Sequence, residues 1–323
     1  MPADEPLPTL PLAERLRRRL RREVLAPLAR RVVAPLRRWR NGRRVYRPVF
    51  VTGAMGSGTT LLALSLSQRF DCGCVIEEGA IEIAGDSFLQ ARDPSRFPTV
   101  HAYLENMLPD EGWDVERGRQ DMLALYRSRA RGRSGLVFDK GPNAHMVRLR
   151  FLARCFPEAG FVVVVRDPVV NVEGFRRKWP RFGEEPLEES VRFYRVIHER
   201  FLEAAPELGR RLVVVRYEDL VERYDGVLDA LAHHLDLPPA QRPRRLRSRA
   251  NIEGQGIRNV SAGRIGVVRS ANERAYARLD PETVARIRKD LGDVTERASV
   301  LALRVSPAPP SPPARAAAPR PVP

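Results

Sequence analysis

Short apolar runs alternate with stretches of helical periodicity, and that alternation narrows the folds open to this chain more than any other feature. The runs are Val49–Thr52, Cys74–Ile76, Leu136–Phe138, Phe161–Val165 and Leu212–Val215. The helical patterns are Thr59–Arg69, Trp113–Arg129, Asn143–Cys155, Leu187–Ala204, Leu220–Leu235 and Pro281–Arg297. Strands joined through helices need crossover connections, which return the chain in the same direction. The expected fold is therefore α/β, a mostly parallel sheet flanked by helices on both faces. With 323 residues the chain can bury both faces of such a sheet. Ligands gather beyond the carboxyl ends of the strands in these folds, so the residues behind each run are the first candidates for function.

The first run ends in Thr52-Gly53-Ala54-Met55-Gly56-Ser57-Gly58-Thr59-Thr60, with a helical pattern directly behind it. Glycines let the backbone curl and let an anion reach its N–H groups, and a helix start adds partial positive charge. Gly53 to Gly58 has the spacing G-x-x-x-x-G, but Thr59 stands where a nucleoside-triphosphatase loop carries Lys. Gly56, Ser57, Gly58, Thr59 and Thr60 thus read as an anion cradle that departs from Walker A; a plain glycine turn before a buried helix is the alternative. Behind Phe161–Val165 come Arg166-Asp167-Pro168, then Asn171, Gly174 and the basic run Arg176-Arg177-Lys178. An Arg at a strand end can hold a phosphate bidentately, and Pro168 suits a helix start. Asp139-Lys140-Gly141-Pro142 follows Leu136–Phe138, and Arg258 to Gly263 follows a glycine-rich stretch near the end.

In this order the elements resemble the sulfotransferase family of bacterial type, over residues 48–298. The resemblance implies a P-loop, nucleotide-kinase-like sulfotransferase fold and sulfuryl transfer from 3′-phosphoadenosine 5′-phosphosulfate (PAPS), with no metal required. It puts the 5′-phosphosulfate on Gly56–Thr60, although the family usually has Lys or Arg where Gly56 stands. It puts the 3′-phosphate on Arg166, with Gly174 at a family Ser position whose backbone N–H can stand in, and with Arg258 and Gly263 in a closing element. Lys140 matches the Lys that contacts the transferring sulfonyl group, while Pro142 occupies the place of the His base found in cytosolic animal members. Glu77 or Glu78, just behind Cys74–Ile76, is then expected to take the acceptor's proton, with His145 as the competing base. Arg216-Tyr217-Glu218-Asp219-Leu220 is also typical of the family and reads as a structural strand-to-helix junction.

The net charge of +16 suggests nucleic acid until it is divided along the chain. Residues 1–47 hold 14 Arg against four acids, about +10, and the remaining positions carry about +6. No nucleic-acid partner is expected. Leu12 to Trp39 spaces its apolar residues helically among arginines, with Pro27 and Pro35 as breaks, so residues 12–39 form either an arm for an anionic membrane surface or a helix packed on the domain. The expected organisation is a basic amphipathic arm (1–47), a sulfotransferase domain (48–300) and a Pro/Ala-rich disordered tail (301–323). Only Lys140, Lys178 and Lys289 are lysines, so a Lys at a motif position carries more information than any Arg. Three cysteines give neither a disulfide framework nor a four-ligand zinc site and are expected to be buried thiols. No run is long enough to span a bilayer, so the expected place is the cytoplasm, with the arm at the inner membrane face. Two rivals stay open: a non-catalytic nucleotide-binding homologue, and a P-loop kinase in which Asp139 would hold Mg²⁺.

Overall fold

Each of the five apolar runs is a strand, and together they form one all-parallel sheet in the order β2-β3-β1-β4-β5. The computed structural model describes residues 45–70, 72–76, 97–108, 113–129, 135–239 and 269–303. The strands are β1 (Arg47–Gly53), β2 (Gly73–Ile76), β3 (Leu136–Lys140), β4 (Gly160–Val165) and β5 (Leu212–Arg216). The helices ahead of β4 are α1 (Thr59–Arg69), α2 (Val100–Met107), α3 (Val115–Arg129), α4 (Ala144–Val147) and α5 (Leu149–Cys155). Behind β4 come α6 (Pro168–Lys178), α7 (Pro180–Glu184), α8 (Leu187–Leu208), α9 (Tyr217–Glu222), α10 (Tyr224–His234), α11 (Arg269–Tyr276) and α12 (Pro281–Val300).

Strand alternation sorts the core into two layers. Phe50, Val137, Phe161, Val163 and Val214 face one side, under α2–α6, α8 and α12. Val49, Val51, Leu136, Phe138, Val162, Val164, Val213 and Val215 face the other, under α1, α9 and α10. Because both faces are covered, Gly160–Val165 is buried at every position, which is why it reads as a continuous apolar run. Central β1 pairs with β3 on one side and β4 on the other, so the chain order reverses around it. That reversal opens a crevice beyond the carboxyl ends of β1, β3 and β4. At the far edge Leu303 donates to the Val214 carbonyl, extending the packed chain past α12.

Two expected helices are broken. Asn143–Cys155 divides into α4 and α5 at Arg148, whose side chain is wholly buried and donates through Nε to the Met107 carbonyl at 3.0 Å and through Nη2 to that of Asn106 at 3.3 Å. Its guanidinium also lies over the Trp113 ring at 4.6 Å, and burial pushes it down to about 9. The expected Leu220–Leu235 helix begins at Tyr217 and divides at Arg223, whose φ and ψ of −126° and 42° leave the helical range. Cys72 and Cys155 are buried thiols, while Cys74 is half-buried. Among the described residues no helix is long and apolar enough to cross a membrane. The arm at 12–39 and residues 304–323 of the tail lie outside the described residues.

Candidate active site

β1 ends at Gly53, whose φ of +151° and crowding explain the glycine: a β-carbon there would lie 2.3 Å from the Val164 carbonyl oxygen. The chain then turns through Gly56 and Gly58, at φ +85° and +102°, and enters α1. Gly58 is the helix N-cap, no side chain caps α1, and its first turn carries no acid. The open N–H groups and the positive end of the helix dipole therefore face the sheet edge. Ser57 is fully buried, and its Oγ has no hydrogen-bond partner. Thr59 is buried and Thr60 half-buried at the start of α1.

The loop behind β3 is stitched to this one. Thr52 Oγ1 donates to the Gly141 carbonyl at 2.7 Å, and Asn143 N donates to the Gly53 carbonyl at 3.0 Å. Asn143 Oδ1 in turn accepts from Met55 N at 2.8 Å, with Asn143 itself at φ +51°. Lys140 closes β3 opposite Val51, buried at 3% exposure. Neighbouring Asp139 accepts from the Tyr126 hydroxyl at 2.7 Å. His145 packs edge-on to Phe50 at 5.7 Å and against Gly141, where a β-carbon would meet the imidazole Nδ1 at 2.5 Å. Burial, then the Arg148 and Lys140 cations, push this imidazole down to about 3.

From β4 the Arg166 guanidinium reaches across the loop, donating to the Gly56 carbonyl at 2.8 Å and to Asn272 Oδ1 of α11 at 2.6 Å. It lies 4.1 Å over the Tyr217 ring, and its Nε has no partner. Burial lowers its pKa, against an upward pull from Tyr217 and the acids around it. Asp167 caps α6 through Val169 N and Val170 N and accepts from the Tyr276 hydroxyl at 2.5 Å. Gly174 lies inside α6, so its N–H belongs to the helix ladder rather than to a ligand. A β-carbon there would meet nothing within 4 Å, so the position contributes room.

The geometry thus gathers Gly56, Ser57, Gly58, Thr59, Thr60, Lys140 and Arg166 at one sheet edge. Three amides of this edge carry no role in the sequence-based reading: Asn143, Asn272 and Asn171, the last noted only as following Arg166-Asp167-Pro168. Asn143 stands in a turn, where Asn is too common to single out, and Asn171 and Asn272 lie inside α6 and α11, where no motif marks them. Tyr217 does more than mark the junction at the end of β5. A β-carbon on Gly58 would fall 2.4 Å from its ring, so the ring wedges between loop and Arg166. Glu77, Glu78, Arg258 and Gly263 lie outside the described residues.

A model of the sulfotransferase family matches residues 48–241. The chain belongs to the sulfotransferase family. It is a sulfotransferase, and its chemistry is sulfuryl transfer. No curated protein matches it. Among solved structures, the sulfotransferase domain from the curacin biosynthetic pathway is 17% identical, with 77% of this chain and 98% of that one covered at a TM-score of 0.46. Sulfotransferase STF1 from Mycobacterium tuberculosis H37Rv is 14% identical, with 81% and 82% covered and a TM-score of 0.47. Mouse sulfotransferase SULT7A1 complexed with PAP is 12% identical, with 80% and 90% covered and a TM-score of 0.39.

Proposed function

We propose that this sulfotransferase takes its sulfuryl group from PAPS and passes it to a hydroxyl or amine of an acceptor, with carbohydrates and glycolipids as the classes to test first. The observation that carries the reading is the meeting of three cationic or donor elements at one sheet edge. The uncapped start of α1 with the unpartnered Ser57 Oγ fits a 5′-phosphosulfate. Arg166 keeps Nε free for the 3′-phosphate, and Arg258 and Gly263 complete that end. Lys140 serves the sulfonyl oxygens.

In this scheme Glu77 or Glu78 accepts the acceptor's proton, and the acceptor oxygen or nitrogen bonds to sulfur. The sulfur–oxygen bond to the 5′-phosphate breaks, its electron pair leaving on 3′-phosphoadenosine 5′-phosphate (PAP). Lys140 and the loop amides stabilise the charge that builds on the sulfonyl and leaving oxygens. The low pKa of His145 favours a glutamate as base, because an imidazole at about 3 binds a proton too weakly to draw one from the acceptor. The basic arm at residues 12–39 would bring the enzyme to an anionic membrane surface at the inner face of the membrane, where a glycolipid acceptor is met.

Thermal melting of the full chain tests the donor assignment. PAP should raise the melting temperature more than ATP with magnesium does, since ligand that binds only the folded state stabilises it. A larger rise with ATP would overturn the assignment.

A further inference from the structure

The loop Gly53–Thr60 bends around an anion site without one cationic side chain of its own. Its backbone N–H groups supply partial charges only, whereas a phosphate brings at least one full negative charge. An ammonium approaches the loop from outside it. Helix α6 starts at the end of β4, and Asn171, Gly174 and Lys178 follow at spacings of three and four, which places them on one face. That face lies along the loop. Asn171 Nδ2 donates to the Met55 carbonyl at 2.9 Å. A β-carbon on Gly56 would sit 3.5 Å from that nitrogen and 3.9 Å from Lys178 Nζ. Gly174, between the two, fills none of the space in front of them.

Lys178 is exposed at the end of α6, with its ammonium open to a ligand. Among the described residues its ammonium has the Trp179 ring as its partner, 5.9 Å away. The acid five residues back on α6, Glu173, is already shared by Arg177 at 2.7 Å and Arg278 at 2.9 Å. Desolvation at the ammonium, then Arg177 and Arg166, lower its pKa against an upward pull from Glu173, while the side chain as a whole is exposed and open to a ligand. An arriving anion offsets the repulsion from the two arginines.

We propose that Lys178, at the last turn of α6, is the loop's cation and holds the 5′-phosphate end of the nucleotide against Gly56 and Ser57. This rests on the reading of the loop as the nucleotide's 5′ site. The arrangement divides one function between two elements: the loop orients the anion through its backbone, and the helix supplies the charge that the loop sequence lacks.

Calorimetric titration of the full chain with PAP and with adenosine 3′-phosphate isolates the contribution of the 5′-phosphate as a ratio of affinities. Lys178→Gln should weaken PAP about tenfold, the size of one lost charge-assisted hydrogen bond, and leave adenosine 3′-phosphate unchanged. Arg177→Gln, at the same helix end, should leave the ratio as it is. The proposal falls if Lys178→Gln preserves the ratio, if it weakens adenosine 3′-phosphate as much as PAP, or if Arg177→Gln reproduces the loss. A wild-type chain that binds the two nucleotides equally would instead remove the 5′ assignment of the loop, a different failure from a ratio that is present and indifferent to Lys178.

Discussion

Arg166 shows how much a single side chain can do at this sheet edge. Its Nη groups tie the Gly53–Thr60 loop to α11 through Gly56 and Asn272, and its face lies on Tyr217. Replacement by Lys keeps the charge and loses the fork and the stacking plane. Arg166→Lys should therefore weaken PAP at least about tenfold and lower the melting temperature as well, both readable in one thermal titration; an unchanged affinity would remove Arg166 from the 3′ site. Lys140→Ala should separate differently, lowering turnover much more than PAP affinity, as for a contact strongest in the transition state. Equal effects on both would make Lys140 a binding residue. Residues of this kind were legible because each stands directly behind an apolar run. Arg148 was not: in a chain with 53 arginines nothing in the sequence distinguishes the one that is wholly buried.

At the scale of elements, the site is held by latches between loops rather than by the strands alone. Asn143 joins the β3 loop to Met55, Asn171 joins α6 to the same residue, and Asp167 joins the α6 start to Tyr276 of α11. Asp167→Ala removes the cap of α6 and that latch together. It should lower stability by about 1–2 kcal/mol in denaturant unfolding, and a smaller change would show that α11 docks without it. Strand positions and the start of α1 were readable from apolar runs, glycines and spacing, because those signals are local. The breaks at Arg148 and Arg223 were not, since periodicity continues across them; at Arg148 the interruption coincides with tertiary contacts to Met107, Asn106 and Trp113. α2, α7 and α11, at eight, five and eight residues, are too short for a periodic stripe to stand out.

For the whole molecule, two buried imidazoles set an acid limit. An unfolded chain protonates His near 6.5, whereas burial lowers His145 to about 3 and His198 to about 4. Between those values the unfolded state binds protons that the folded state refuses, so stability is full above about pH 7 and falls as pH drops through 6.5. At pH 5 each group removes about 2 kcal/mol. His145→Leu should remove about half of the fall in melting temperature between pH 7 and 5; an unaltered slope would assign the acid sensitivity elsewhere.

The arm is tested at the same scale. The full chain should sediment with anionic vesicles at low salt and be released as salt screens the arginines, and a chain lacking residues 1–47 should stay in solution. Equal sedimentation of both would leave no support for a membrane-borne acceptor.

In the proposed reaction the edge formed by the α1 start, Lys140 and Arg166 passes a sulfuryl group from PAPS. Incubation with sulfur-labelled PAPS and separated carbohydrate, lipid and small-molecule fractions measures it directly. Label should appear in one acceptor fraction, matched by an equal amount of PAP, with Lys140→Ala greatly slowed. Consumption of ATP in the presence of magnesium, with PAPS left intact across all fractions, would contradict it.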